Sequence, residues 1–128
     1  LVCLTTDEEL ARFGLSDYAA RVAAAGMTLH RLPVRAGDVP ASARDVRRLV
    51  AEVRRVLEED GRVVVHCGAG RGRSGVIAGC VLIELGMSAD EAMAALAARH
   101  PTKCPETAAQ RDFVRDFAAR GAVSGRAP

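Results

Sequence analysis

Cys67 and Arg73 stand six positions apart, separated by Gly68, Ala69, Gly70, Arg71 and Gly72, and Ser74 follows directly. These residue types at this spacing suit attack on an anion. A thiolate is the reactive form of cysteine, and nearby arginine or a helix N-terminus lowers the thiol pKa. Arg73 can grip two oxygens of a phosphate with its planar fork. Glycines let a loop turn sharply and bring its backbone close to a ligand, so successive loop N–H groups can hold the remaining oxygens. Cys67 would then lie below the phosphorus, placed to attack in line and give a phosphocysteine. Ser74 could donate to the sulfur and help it leave.

The elements around this stretch must position it. Val63, Val64 and Val65 read as a short buried strand, being an apolar run of β-branched residues. From Ser74 to Leu85 the chain is apolar without breakers and reads as a buried helix. The loop therefore runs from a strand end into a helix N-terminus, where unpaired N–H groups and the helix dipole favour an anion.

The rest of the chain alternates in the same way. Leu1 to Leu4 reads as a buried strand, and Asp7 to Phe13 as a short helix with an acidic first turn. Ser16 is expected to cap a second helix that ends at Gly26. Met27 to Val34 alternates apolar and polar, as a strand does, with His30 at its rim. Ser42 is expected to cap a long helix stopped by Gly61, with Val46, Leu49, Val50, Val53, Val56 and Leu57 on one face. The arginine pairs 47–48 and 54–55 fall on its polar face and read as solvated, or as recruiters of anions. Ser88 and Glu91 form a capping-box pattern. A last helix from Thr107 presents Phe113, Val114 and Phe117. Helices alternating with short apolar strands predict an α/β fold, a mostly parallel central sheet with helices on both faces. Cys67 would lie at the carboxyl end of a central strand, where such sheets bind ligands.

His66-Cys67, five residues, then Arg73-Ser74 resembles the signature of the cysteine-dependent protein tyrosine and dual-specificity phosphatases, nearest to the cyclin-dependent-kinase-associated members. Thr6 to Leu10, Leu32-Pro33-Val34, Gly37 to Pro40, and Glu106-Thr107 with Gln110 follow that family's order. The resemblance covers most of residues 1–120. It implies a phosphatase with no metal or cofactor, in which Cys67, Arg73 and Ser74 are catalytic and Gly68, Ala69, Gly70, Arg71, Gly72 and Arg73 bind the substrate phosphate. The expected substrate is a phosphorylated protein carrying phosphotyrosine, phosphoserine or phosphothreonine. The alternatives are a phosphoinositide or small phosphoester phosphatase, or a pseudophosphatase that binds phosphorylated partners without turnover. A rhodanese-like sulfurtransferase also uses a loop cysteine, though its loop is usually shorter.

Two departures from the family pattern bear on chemistry. The family protonates the leaving oxygen with an aspartate on a separate loop, and an ungapped count from Thr6 puts Ala36 in that place. Either Asp38, two positions on, is the acid, or the enzyme works on activated esters without one, or the alanine is an introduced change that traps substrate. Asp38 also reads as an ordinary turn residue. Arg71 is the second departure. It resembles members that act on multiply phosphorylated substrates, or it points outward. By the resemblance Gln110 orients the hydrolytic water, against a reading as a plain helix residue. Cys3 lies near where some relatives carry a cysteine able to pair with the nucleophile.

Composition narrows the classes. A chain of 128 residues with 49% hydrophobic content is one domain with room for a core. The phosphatase domain is expected over residues 1–121, lacking an N-terminal portion, with a frayed tail at 122–128. There is no 18-residue apolar run for a membrane span. A net charge of +2 and 3% aromatics argue against nucleic acid as a partner. All basic residues but Lys103 are arginine. Cys3, Cys67, Cys80 and Cys104 form no C-x2-C pair, so reduced thiols and a cytoplasmic setting are expected. Oligomeric state has no sequence signal.

Overall fold

The protein, seen in a computed structural model that describes residues 1–124, is a three-stranded parallel sheet packed among six helices. The elements in chain order are β1 (Val2–Cys3), α1 (Asp7–Arg12), α2 (Tyr18–Ala24), β2 (His30–Arg31), α3 (Ala43–Glu58), β3 (Val65–His66), α4 (Arg73–Glu84), α5 (Ala89–Arg99) and α6 (Ala108–Ser124). The strand order is β2-β1-β3. Val2 pairs with His30 and Val65, and Cys3 with Arg31 and His66. Val2, Cys3 and Leu4 are fully buried, so the central strand is covered on both faces, as its unbroken apolar run requires.

The long helices lie where their periodicity predicts. Ser42 accepts from the Asp45 N–H at 3.1 Å, and α3 buries Val46, Leu49, Val50 and Val53. Ser88 and Glu91 form the expected capping box on α5. α4 is the centre of the molecule, burying Val76, Ile77, Cys80 and Val81 and packing against α3, α5 and α6. Gly79 permits the close approach of α6, since a Cβ there would stand 3.1 Å from Val114 Cγ1.

Four expectations change. The strand at 63–65 shifts to Val65–His66, and Val64 is 58% exposed; β3 is an edge of the described sheet, so one flank of the valine run stays open. The strand expected over Met27–Val34 shortens to His30–Arg31, also at an edge, with Met27 exposed. Ser16 caps nothing: α2 begins after Asp17, whose side chain instead bonds Arg21 Nε at 2.8 Å. α6 passes Gly121 and runs to Ser124, so residues 122–124 of the expected tail are helical. Residues 125–128 lie outside the described residues.

The end of α3 sets the entry to the site strand. Asp60 N–H donates to Leu57 O and Gly61 N–H to Val56 O at 2.8 Å, the paired bonds that close a helix with a left-handed residue. That residue is Asp60, at φ 59°, with the glycine one position later. A Cβ on Gly61 would stand 2.6 Å from Val56 O. Gly61→Ala is therefore expected to destabilise the protein by about 1–3 kcal/mol, the usual effect of overpacking. Asp60→Gly should stabilise it by relieving the left-handed strain. Thermal denaturation of both variants checks the opposite signs.

Candidate active site

Cys67 directly follows β3 and Arg73 opens α4, and the loop between them wraps the sulfur. Gly70 N–H donates to Cys67 Sγ at 3.2 Å, and Ser74 Oγ lies 3.5 Å from the same sulfur. Gly70 is at φ +75°, a conformation that L side chains rarely adopt. Burial of Cys67 would push its thiol up. The Ser74 hydroxyl, the Ser74 and Gly70 N–H groups and the Arg73 charge outweigh that, and the thiol falls below its ordinary value.

Arg73 has almost no solvent exposure, and its charge is met by Glu9 of α1. Nη1 donates to Glu9 Oε2 and to Val34 O, both at 2.7 Å, and Nη2 donates to Glu9 Oε1 at 2.9 Å. A guanidinium has five N–H donors. Glu9 and Val34 O take three of them, which leaves Nε–H and one Nη2 hydrogen, and the guanidinium also interacts with the Cys67 side chain. Glu9 is itself held by Thr6, whose N–H and hydroxyl donate to Oε2 at 3.0 and 3.1 Å while its Oγ1 caps α1. The Arg73 hydrogen bond, opposed by burial and aided by Thr6, brings the Glu9 carboxyl down to about 2. A Cβ on Gly68 would stand 3.1 Å from Arg73 Nη2, so this loop position must stay small.

The histidine before Cys67 is also fixed from a distant element. His66 Nδ1 lies 3.3 Å from Cys67 O. That carbonyl only accepts, so Nδ1 carries the proton and Nε2 accepts from the Tyr18 hydroxyl of α2. The two rings meet edge to face at 5.6 Å.

The remaining expected residues separate. Arg71 pairs with Glu106 at 3.2 Å on the flank of the loop. Gln110 is fully buried: its Oε1 accepts from Thr107 N–H and its Nε2 donates to Asp38 O, both at 3.1 Å. It completes a capping box with Thr107. Among the described residues the Asp38 carboxylate has no partner; its backbone is tied, the carbonyl accepting from Gln110 and the N–H donating to Arg35 O at 3.1 Å. Ala36 is exposed beside a cleft of about 380 Å³ lined also by Thr6, Glu8, Glu9, Arg12 and Arg35. Larger clefts of about 460 and 640 Å³ lie at the amino ends of the strands and between β2 and α3, away from Cys67. Cys3 is a free, buried thiol. Sequence reasoning missed Glu9 and Tyr18, which lie 64 and 48 positions from their partners.

A cysteine-to-arginine loop of this form on a parallel α/β sheet is the arrangement of the cysteine-dependent phosphatase fold. Residues 2–87 match the family described as "Polymorphic toxin system, DSP-PTPase phosphatase", and the chain belongs to that family. No curated protein matches it. Its fold is similar to kinase-associated phosphatase with the catalytic-site cysteine replaced by serine (TM-score 0.86, 21% identity, covering 94% of this chain and 68% of that one). It is also similar to the active form of Tk-PTP (TM-score 0.78, 25% identity, 93% and 77% covered) and to PTPMT1 in complex with PI(5)P (TM-score 0.81, 21% identity, 97% and 78% covered). Among the described residues no helix is long and apolar enough to cross a membrane.

Two outcomes follow from the geometry. Iodoacetate should alkylate Cys67 first, because its thiol is lowered and half-buried, whereas burial pushes Cys80 up to about 12 and burial with the Cys67 charge raises Cys104. Equal labelling of all four cysteines by mass spectrometry would count against a thiolate at Cys67. Glu9→Gln should destabilise the fold by up to about 3–5 kcal/mol, since it leaves a buried guanidinium without its counter-charge. Because the folded Glu9 carboxyl lies below its ordinary 4.5, its contribution is complete above that pH and fades as pH falls toward about 2. Urea unfolding should show the gap between wild type and variant narrowing across that window.

Proposed function

We propose that this protein hydrolyses phosphate monoesters through a phosphocysteine at Cys67, acting on phosphorylated protein side chains. The observation that carries this reading is the Arg73 fork. Glu9 and Val34 O hold three of its donors, and the guanidinium also interacts with the Cys67 side chain, on which the Gly70 N–H and Ser74 hydroxyl converge. The phosphoryl group enters this nest with its oxygens on the loop N–H groups and the fork. Cys67 Sγ attacks phosphorus, the ester oxygen leaves, and Arg73 offsets the charge spread over the equatorial oxygens. Water then hydrolyses the thiophosphate, and Ser74 donates to the departing thiolate.

Arg71 is the observation that favours a second reading, a multiply phosphorylated substrate such as a phosphoinositide. Its guanidinium is already paired with Glu106, so reading a second phosphate requires that pair to open. The protein substrate needs no such change.

The acid position is the point of decision. General acids contribute about 10²–10⁴-fold and matter most for leaving groups of high pKa. With Ala36 in that place, Ala36→Asp should raise turnover of phosphothreonine peptides by about two orders of magnitude or more and change para-nitrophenyl phosphate much less. Strong loss in Asp38→Asn with no gain in Ala36→Asp would instead assign the acid to Asp38. Cys67→Ser should abolish turnover of both substrates; retained turnover would end the phosphocysteine reading.

A further inference from the structure

The three glycines of the phosphate loop are not held alike. A Cβ on Gly68 would stand 3.1 Å from Arg73 Nη2, and one on Gly72 would meet Gln110 Nε2 and Oε1 at 3.1 Å. A Cβ on Gly70 would meet nothing within 4 Å. The loop is therefore packed at its entry and exit and open at its apex. Glycine rotates at little steric cost, and Gly70 stands at φ +75°. Packing thus does not choose which face the peptide unit joining Gly70 to Arg71 presents. One orientation turns the Gly70 carbonyl away from the anion. The other turns it inward and sets an acceptor against phosphate oxygens.

The end of α5 supplies the choice. Pro101 follows His100, and a residue before proline is pushed to extended backbone. His100 accordingly closes the helix at φ −117°, ψ 132°. Its Nε2 lies 3.2 Å from Gly70 O. That carbonyl only accepts, so Nε2 carries the proton and donates. Nδ1 accepts from Thr102 N–H at 3.4 Å and lies 3.2 Å from Thr102 Oγ1. Both sides of the ring call for the same neutral tautomer. The Gly70–Arg71 peptide is trans, so its N–H points opposite to its C=O. With Gly70 O drawn to His100, the Arg71 N–H points away from His100 and has no partner among the described residues.

We propose that His100 is a positioning residue of the phosphate loop, latching the Gly70 carbonyl outward so that the Arg71 N–H joins the donors that hold the anion. The inference rests on the phosphate-nest reading above and not on turnover. Gly70 N–H, which donates to Cys67 Sγ at 3.2 Å, belongs to the preceding peptide unit, which His100 does not touch. The latch therefore acts on anion affinity and leaves the thiolate as it is. Thr102 acts through it by fixing the ring.

Binding of inorganic phosphate tests this, measured by calorimetry and as competitive inhibition of para-nitrophenyl phosphate hydrolysis. His100→Met keeps a long side chain without a donor, and His100→Gln restores a donor near the place of Nε2. In His100→Met the phosphate dissociation constant should rise about tenfold, the effect of losing one hydrogen bond to a charged group. His100→Gln should recover most of that loss. Alkylation of Cys67 by neutral iodoacetamide and the thermal midpoint should stay near wild type in both variants. Phosphate affinity unchanged in His100→Met, or lost equally in both variants, would overturn the latch, as would alkylation and melting that fall with it. Wild-type protein that binds no phosphate would instead overturn the nest on which the latch rests.

Discussion

The structure depends on how one buried positive charge is met. Arg73 is 5% exposed, and an unpaired guanidinium at that depth would cost more than the fold could offset. Glu9 meets the charge with both oxygens, and Val34 O takes a further donor. Those contacts reach from the first turn of α4 to α1 and to the segment leaving β2, so one side chain joins three parts of the chain. They also set the chemistry, because the donors they use determine which ones remain for an anion. Thr6 extends the network by capping α1 and bonding the same carboxylate, which ties the local stability of α1 to the orientation of Arg73.

Local chemistry was legible in the sequence, and long-range partnering was not. The strand–loop–helix order, the Ser42 and Ser88 caps and the apolar face of α3 depend on neighbours within a turn or two, and the structure carries all of them. Strand lengths were overestimated, because alternation and β-branching describe what a segment tolerates, while pairing depends on having a strand on each side. Thus Val64 is exposed on the edge strand. Ser16 shows the same limit at a helix end: cap preference is real, yet the turn places the start one residue later, where Asp17 bonds Arg21. Glu9 and Tyr18 left no signal beyond acidic and aromatic character. Their function comes from tertiary approach to Arg73 and His66 across most of the sheet. Arg47 likewise read as solvated, but it covers the Phe117 ring at 4.4 Å and donates to Phe117 O.

The loop glycines illustrate how one residue type answers different constraints. Gly70 supplies a left-handed backbone angle, whereas Gly68 and Gly72 supply the absence of a Cβ, the first for Arg73 and the second for Gln110 and Glu106. An alternating glycine pattern could be read as general flexibility. The surroundings indicate the reverse: each missing side chain lets a neighbouring polar group press on the loop and hold it still. Such a loop keeps its N–H groups oriented before an anion arrives, so little reorganisation is needed during reaction.

The same logic bears on the loop that carries Ala36. Its entry is anchored where Arg73 bonds Val34 O, and its exit where Gln110 bonds Asp38 O. Both anchors belong to residues that touch the phosphate loop. The stretch between them cannot swing away as a flap without breaking a buried hydrogen bond at one end, each costing about 1–3 kcal/mol when a partner is left unsatisfied. Between the anchors the chain closes as a turn, Asp38 N–H donating to Arg35 O at 3.1 Å, with Gly37 at φ +82°. A carboxyl group at position 36 would sit at the apex of this short tethered arch, beside the cleft with Glu8, Glu9 and Arg12. Asp38 sits at an anchored end, where its carbonyl is fixed and its side chain alone can turn. The two candidate acid positions therefore differ in how they are held as well as in residue type: position 36 lies inside the turn that Asp38 N–H closes on Arg35 O, whereas Asp38 ends that turn and is tied again by Gln110.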